Sequence, residues 1–407
     1  MKILQLCKKF PFPLKDGESI AVTYLTRALV DLGCEVTLLS MNTSKHYLDV
    51  NDLPSDFNHY KQIYTVDVDN RLKVGDAFAN LFSDKSYHVS RFESKEFADK
   101  LIETLQSEAF DVVQLETLYL SPYIDLIKQH SDAIVTMRSH NIEFEIWERI
   151  SQGTGFLPKK LYLNHLTKKL KKYELEKLND YDYLLAISQR DLDQFKKLGY
   201  KNGAMATPIG LQLDNYKINR QTVNKSICFI GAMDWIPNAE GFNWFLEKVW
   251  PLVHKSNPEA QFHVAGRNTP PDLLALKSEN VFIHGEVDDA IEFIGNHDLM
   301  VVPLFSGSGM RVKIIEAMAL EKCIVSTSLG AEGIDVTDGG NIALADDAES
   351  FAAKILALID DHDKRKEIGE NARKFVMEYY DQKHIALALV EKYKYIKEKS
   401  YYKRHKS

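Results

Sequence analysis

The chain has 407 residues, 45% hydrophobic and 27% charged, which describes a globular protein too long for one ordinary core and sets an expectation of two domains of about 150 to 200 residues each. Its net charge of −7 excludes nucleic acid as the main partner, because phosphate backbones call for an excess of clustered Lys and Arg. No stretch approaches the roughly 18 uninterrupted apolar residues of a membrane span, and Cys7, Cys34, Cys228 and Cys323 lack the paired spacing of zinc sites, so reduced, buried thiols are expected.

The N-terminal apolar run is too short for a secretion signal and reads as a first strand over residues 2–6. A Pro-rich loop then reaches Gly17, a helix is predicted over 19–33, and strands over 35–39, 111–115, 133–137 and 183–187, each ending in polar residues. Such alternation predicts a parallel sheet covered on both faces, with ligands gathering at the carboxyl ends of its strands. Gly17 and Glu18 follow the loop after the first strand, and His140 lies in Arg138-Ser139-His140-Asn141-Ile142-Glu143 after the strand 133–137. Taken alone, a loop histidine is more often a solvated side chain than a functional one; strand-end position and motif context together reverse that preference. The Lys-rich helix over 158–172 is amphipathic, suited either to a solvated face or to contact with an anionic bilayer. The polar segment 208–224, with Pro, Gly and Asn nearby, reads as an interdomain linker.

The second half repeats the pattern with strands over 226–230, 261–265, 281–284 and 299–303, and a helix over 239–249 for which Asn238 is the expected N-cap. Gly231 and Gly266-Arg267 follow strands, which places a flexible loop and a cation at the sheet's carboxyl edge. The most informative segment is 305–320. There Gly307-Ser308-Gly309-Met310 opens a helix bearing Arg311, Lys313 and Glu316. Glycines let backbone approach a ligand, new helical N–H groups and the dipole favour an anion, and the two cations add charge-assisted hydrogen bonds to phosphate. A simple Lys313–Glu316 pair three residues apart is the rival reading. Asp67/Asp69, Asp180/Asp182, Asp191/Asp193 and Asp361/Asp363 form Asp-x-Asp pairs, none at a strand-end switch. No metal or other cofactor is therefore expected.

Gly307-Ser308-Gly309, the helix containing Glu316-Ala317-Met318-Ala319, the strand 323–327 and the turn Gly330-Ala331-Glu332-Gly333 together resemble the signature of retaining glycosyltransferases of family 4. Many members carry two glutamates with seven residues between them; Glu316 matches the second and Ser308 stands at the first. The resemblance implies an α/β GT-B fold of two doubly wound Rossmann-like domains facing a central cleft. It implies an acceptor-side domain over 1–207 completed by a helix over about 382–400, the linker 208–224, and a donor-binding domain over 225–378. His140, Arg311 and Lys313 are then the expected catalytic groups. Gly231, Arg267, Val287, Gly307, Ser308, Gly309, Met310, Glu316 and Glu332 are expected at the donor, with Glu332 either at the ribose or sugar or capping a helix. Gly17 and Glu18 are expected on the sugar and acceptor side. The implied activity is transfer of a sugar from a nucleotide diphosphate sugar to a carbohydrate or lipid-linked hydroxyl in surface polysaccharide or glycoconjugate synthesis, in the cytoplasm and with peripheral contact at the membrane's inner face. A sugar-nucleotide epimerase of similar architecture and a non-catalytic sugar-nucleotide-binding subunit are the alternatives.

Overall fold

Short apolar strands with no free edge need partners on both sides, and here they find them in two parallel sheets. The computed structural model describes all residues except 15, 45, 72–84, 219–221, 308–310 and 406–407, and side chains as far as residue 399. Two compact units divide it: Met1–Gly210 together with Gln382–Ser407, and Leu211–Asp381.

The first unit contains β1 (Lys2–Cys7), β2 (Glu35–Thr43), β3 (Gln62–Val68), β4 (Val112–Leu115), β5 (Ile134–Ser139), β6 (Tyr183–Ala186) and β7 (Gly203–Ala206), in the order β3-β2-β1-β4-β5-β6-β7. The second contains β8 (Val223–Ile230), β9 (Gln261–Ala265), β10 (Val281–Gly285), β11 (His297–Val302), β12 (Cys323–Ser326) and β13 (Ala343–Leu344), in the order β10-β9-β8-β11-β12-β13. Strand order reverses between β1 and β4 and again between β8 and β11. Adjacent connections leave in opposite directions at such a point and open a crevice at the carboxyl ends.

Six helices bear on the sites: α1 (Gly17–Asp31), α2 (Glu143–Gln152), α3 (Leu157–Lys177), α4 (Ile236–Trp244), α5 (Val312–Ala319) and α6 (Gln382–His405). Asp16 caps α1, its carboxylate accepting from the Ser19 N–H at 3.0 Å. The last helix, α6, belongs to the first unit: Ile385, Ala386, Leu389, Val390 and Tyr393 are buried in one core with Val22, Leu25 and Leu29 of α1.

Several local expectations need correction. Asn238 is not the N-cap of its helix; α4 begins at Ile236 behind Trp235, and Asn238 instead donates from Nδ2 to the Ala232 carbonyl at 2.9 Å. The segment 208–224 is no free tether, because Leu211 and Tyr216 are buried in the second core and Leu211 N donates to the Tyr380 carbonyl at 2.7 Å. Glu332 sits in a turn, and among the described residues no helix begins beside it.

Candidate functional site

At the reversal in the second unit, β8 ends at Ile230 and the chain turns through Gly231. Gly266, after β9, packs so closely there that a Cβ on it would fall 1.9 Å from the Gly231 carbonyl oxygen. Only glycine allows these two loops to touch. Between them and the loop after β10 lies a cavity of about 400 Å³ whose lining includes Gly231, Arg267, Val287, Lys313 and Glu316.

Lys313 and Glu316 do not pair with each other. The Lys313 ammonium donates to the Ile230 carbonyl at 3.0 Å and the Asn238 side-chain oxygen at 3.3 Å. Burial, and next the charge of Arg311, bring its pKa down to about 7. Glu316 accepts from the Tyr216 hydroxyl at 3.1 Å, and burial raises its carboxyl above the ordinary range despite that bond. Arg311 lies buried with its guanidinium over the Trp235 ring, 5.2 Å from the centroid; burial lowers its pKa while the charge of Glu332 opposes the shift. Gly307 has a φ of 96°, and a Cβ there would approach Trp235 to 2.9 Å. Thus Lys313, Glu316, Gly231, Arg267 and Val287 share the cavity, while Arg311, Gly307 and Glu332 are not part of its lining. Ser308, Gly309 and Met310 lie outside the described residues.

In the first unit, Gly17 opens α1, and a Cβ on it would meet no atom within 4 Å. Its neighbour Glu18 pairs with Lys8 at 3.1 Å. Burial tends to lower the Lys8 pKa, but Glu18 and Glu143 outweigh it and raise the value overall. The Lys8 ammonium also lies over the Tyr119 ring at 4.7 Å, and the Tyr119 hydroxyl donates to Glu143 at 2.7 Å. His140 follows β5 with Nε2 3.2 Å from the buried Glu116 carboxylate.

Residue-by-residue reading missed Glu116, Lys8, Tyr119, Glu143, Tyr216 and Trp235. A signal existed for two of them: Lys8 directly follows β1 and Glu116 directly follows β4, the strands on either side of the order reversal. Among the described residues no group of three or more His, Cys, Asp or Glu converges as a metal site. The Asp-x-Asp members are held elsewhere, for example Asp67 by Asn42 at 3.1 Å, Asp182 by the Val135 N–H at 2.8 Å and Asp361 by the Lys364 N–H at 2.9 Å.

Residues 224–361 match the family model described as glycosyl transferases group 1. A Klebsiella pneumoniae protein described as an uncharacterized 44.6 kDa protein in the cps region is 26% identical over 70% of this chain and 75% of its own length. The Staphylococcus aureus capsular polysaccharide biosynthesis glycosyltransferase CapM is 34% identical over 26% of this chain and 28% of its own. Among solved structures, Anabaena HepE in complex with UDP superimposes with a TM-score of 0.63 at 14% identity, covering 96% of this chain and 99% of that one. Among the described residues no helix is long and apolar enough to cross a membrane.

Proposed function

The chain is a glycosyltransferase on the GT-B fold whose residues 224–361 form a glycosyl transferases group 1 domain, and from that premise we propose that it moves a sugar, with retention of anomeric configuration, from a nucleotide diphosphate sugar to a hydroxyl of a carbohydrate or lipid-linked acceptor in surface polysaccharide or glycoconjugate synthesis. One observation carries the reading: a single cavity joins glycine backbone, the Lys313 ammonium and the Glu316 carboxylate at the carboxyl ends of β8 and β9. A cation and close backbone suit a diphosphate; a carboxylate suits ribose hydroxyls. The complex of HepE with UDP supports this choice of ligand class.

Breaking the anomeric bond leaves negative charge on the departing diphosphate and positive charge on the sugar. Lys313 and Arg311 stabilise the first. Val287 offers backbone to the base, and Arg267 and Glu332 complete the donor side. His140 acts at the sugar, with Gly17 and Glu18 on the acceptor side. The phosphate charge is met by side-chain cations and needs no metal. The reaction belongs in the cytoplasm, with the basic helix α3 touching an anionic bilayer; Phe156, Leu157 and Leu161 there are all more than 60% exposed.

The test is incubation of the purified chain with a panel of nucleotide sugars, with and without oligosaccharide acceptors, in the presence of EDTA. Expected are slow release of nucleoside diphosphate without acceptor and a product whose anomeric coupling in proton NMR matches the donor's. Epimerised nucleotide sugar, an inverted product, or activity lost to EDTA and restored by Mn²⁺ would each overturn the corresponding part of the proposal.

A further inference from the structure

Glu116 follows β4, its backbone N–H donating to the Leu6 carbonyl at 3.0 Å, so the ladder with β1 extends by one residue and turns the side chain in beneath the strand ends. It is fully buried. One carboxylate oxygen accepts from Gln5 at 2.5 Å and Gln114 at 2.6 Å; the other faces the Arg138 guanidinium at 3.5 Å and His140 Nε2 at 3.2 Å.

These partners are fixed in turn by distant parts of the unit. Arg138 donates to the Ala21 carbonyl of α1 at 3.0 Å. Gln114 accepts from the Tyr393 hydroxyl of α6 at 2.8 Å, and Gln5 accepts from Thr26 at 3.0 Å and Tyr60 at 2.9 Å. Burial by itself would raise the Glu116 carboxyl, but Arg138, His140 and Gln114 outweigh it and hold it below the usual range. An ionised carboxylate accepts and cannot donate. The hydrogen between Glu116 and His140 must therefore reside on Nε2, which in a neutral ring leaves the lone pair on Nδ1. No described residue forms a hydrogen bond with that Nδ1.

We propose that Glu116 is a positioning residue for His140: it fixes the ring as the Nε2–H tautomer and presents Nδ1 as the acceptor for a hydroxyl of the bound sugar. This rests on the assignment of His140 to the sugar side of the transferase site. The structural basis is independent of the motifs that suggested His140, because the carboxylate arrives from a different strand.

The first measurement is ¹⁵N NMR of the histidines in the intact chain, with His140→Gln identifying the resonance. Where the ring carries a single proton, that proton is expected on Nε2; a single proton on Nδ1 overturns the proposal, whether or not any variant folds. The second is Glu116→Gln, which turns an amide N–H toward His140 and should reverse the tautomer. Turnover should then fall about 10²–10⁴-fold, the range of a general acid–base contribution or a misassigned tautomer, while nucleoside diphosphate affinity by calorimetry stays unchanged. A folded Glu116→Gln that keeps the tautomer and most of its turnover overturns the proposal. If His140→Gln itself leaves transfer intact, the sugar-side assignment fails along with it; an inactive His140→Gln combined with an Nδ1–H ring in the wild type rejects the role of Glu116 alone.

Discussion

Lys313 shows how one buried side chain can couple ligand binding to pH. Its pKa near 7 reflects burial first and Arg311 second, and an arriving diphosphate opposes both by favouring the charged form. Binding should therefore take up as much as one proton at about pH 8, with affinity falling as pH rises through and above 7. Calorimetry in two buffers of different ionisation enthalpy measures this; identical apparent enthalpies would mean that the lysine is already charged when free. Lys313→Met should abolish the uptake and lower turnover about 10²–10³-fold, as for loss of one preorganised electrostatic donor. In the ligand-free chain the sign is also fixed. The unfolded state keeps the proton between about 7 and the ordinary 10.5, so this residue makes stability rise with pH across that window.

Glu316 and His140 should fail differently. Glu316→Ala removes a hydrogen bond to a charged group, a loss of about 1.5–3 kcal/mol, and should weaken nucleoside diphosphate binding about 10- to 150-fold. His140→Ala should leave that affinity unchanged and reduce transfer. Equal weakening in both variants would remove His140 from the sugar side. The chemistry of these residue types was legible in their order along the chain, but their partners were not. Tyr216 is 100 residues before Glu316, and Ile230 and Asn238 are 83 and 75 before Lys313.

At the scale of elements, the close glycines test the architecture of the donor loops. Gly266→Ala forces a Cβ to within 1.9 Å of the Gly231 oxygen, and overpacking of this kind costs about 1–3 kcal/mol. Chemical denaturation should show that loss together with weaker diphosphate binding. Gly17→Ala meets no atom within 4 Å at the first position of α1, so stability should stay within about 0.5 kcal/mol. Any fall in transfer by that variant would then report a ligand occupying the open space. Strongly apolar central strands were readily legible in the sequence. The edge strands β3, β7 and β13 were not predicted: β3 is largely half-buried, and β7 and β13 run to only four and two residues. The start of α2 was equally hidden: Ile142 at its N-cap provides no side-chain bond, and Glu174 of α3 instead accepts from Glu143 N at 3.2 Å and Phe144 N at 3.0 Å. Burial, and next the backbone bond from Phe144 set against the charge of Glu143, leave the Glu174 carboxyl at about 8.

For the molecule as a whole, the return of the chain at Gln382 ties the first unit together. A chain ended at residue 381 would lose Ile385, Leu389, Val390 and Tyr393 from the first core. At about 1.5–3 kcal/mol for each large apolar side chain, the loss is comparable to the entire 5–15 kcal/mol stability of a typical domain. Calorimetry of the shortened chain should show the first unit's transition missing while the Leu211–Asp381 unit still binds nucleoside diphosphate. A surviving first-unit transition would show that α6 adds little to that core.

The order of residues by itself determined the doubly wound class, the strand-to-helix turn at Gly307 and the cation and carboxylate spacing on α5. Those features are local: periodicity, glycine and charge act within a few residues of one another. Tertiary structure alone decided that Asn238 faces Lys313 instead of capping α4, that Tyr216 supports Glu316, and that Glu116 lies beneath His140. Each of these depends on strand order bringing distant segments to one sheet edge, where burial then sets the charge state and the hydrogen-bond partner.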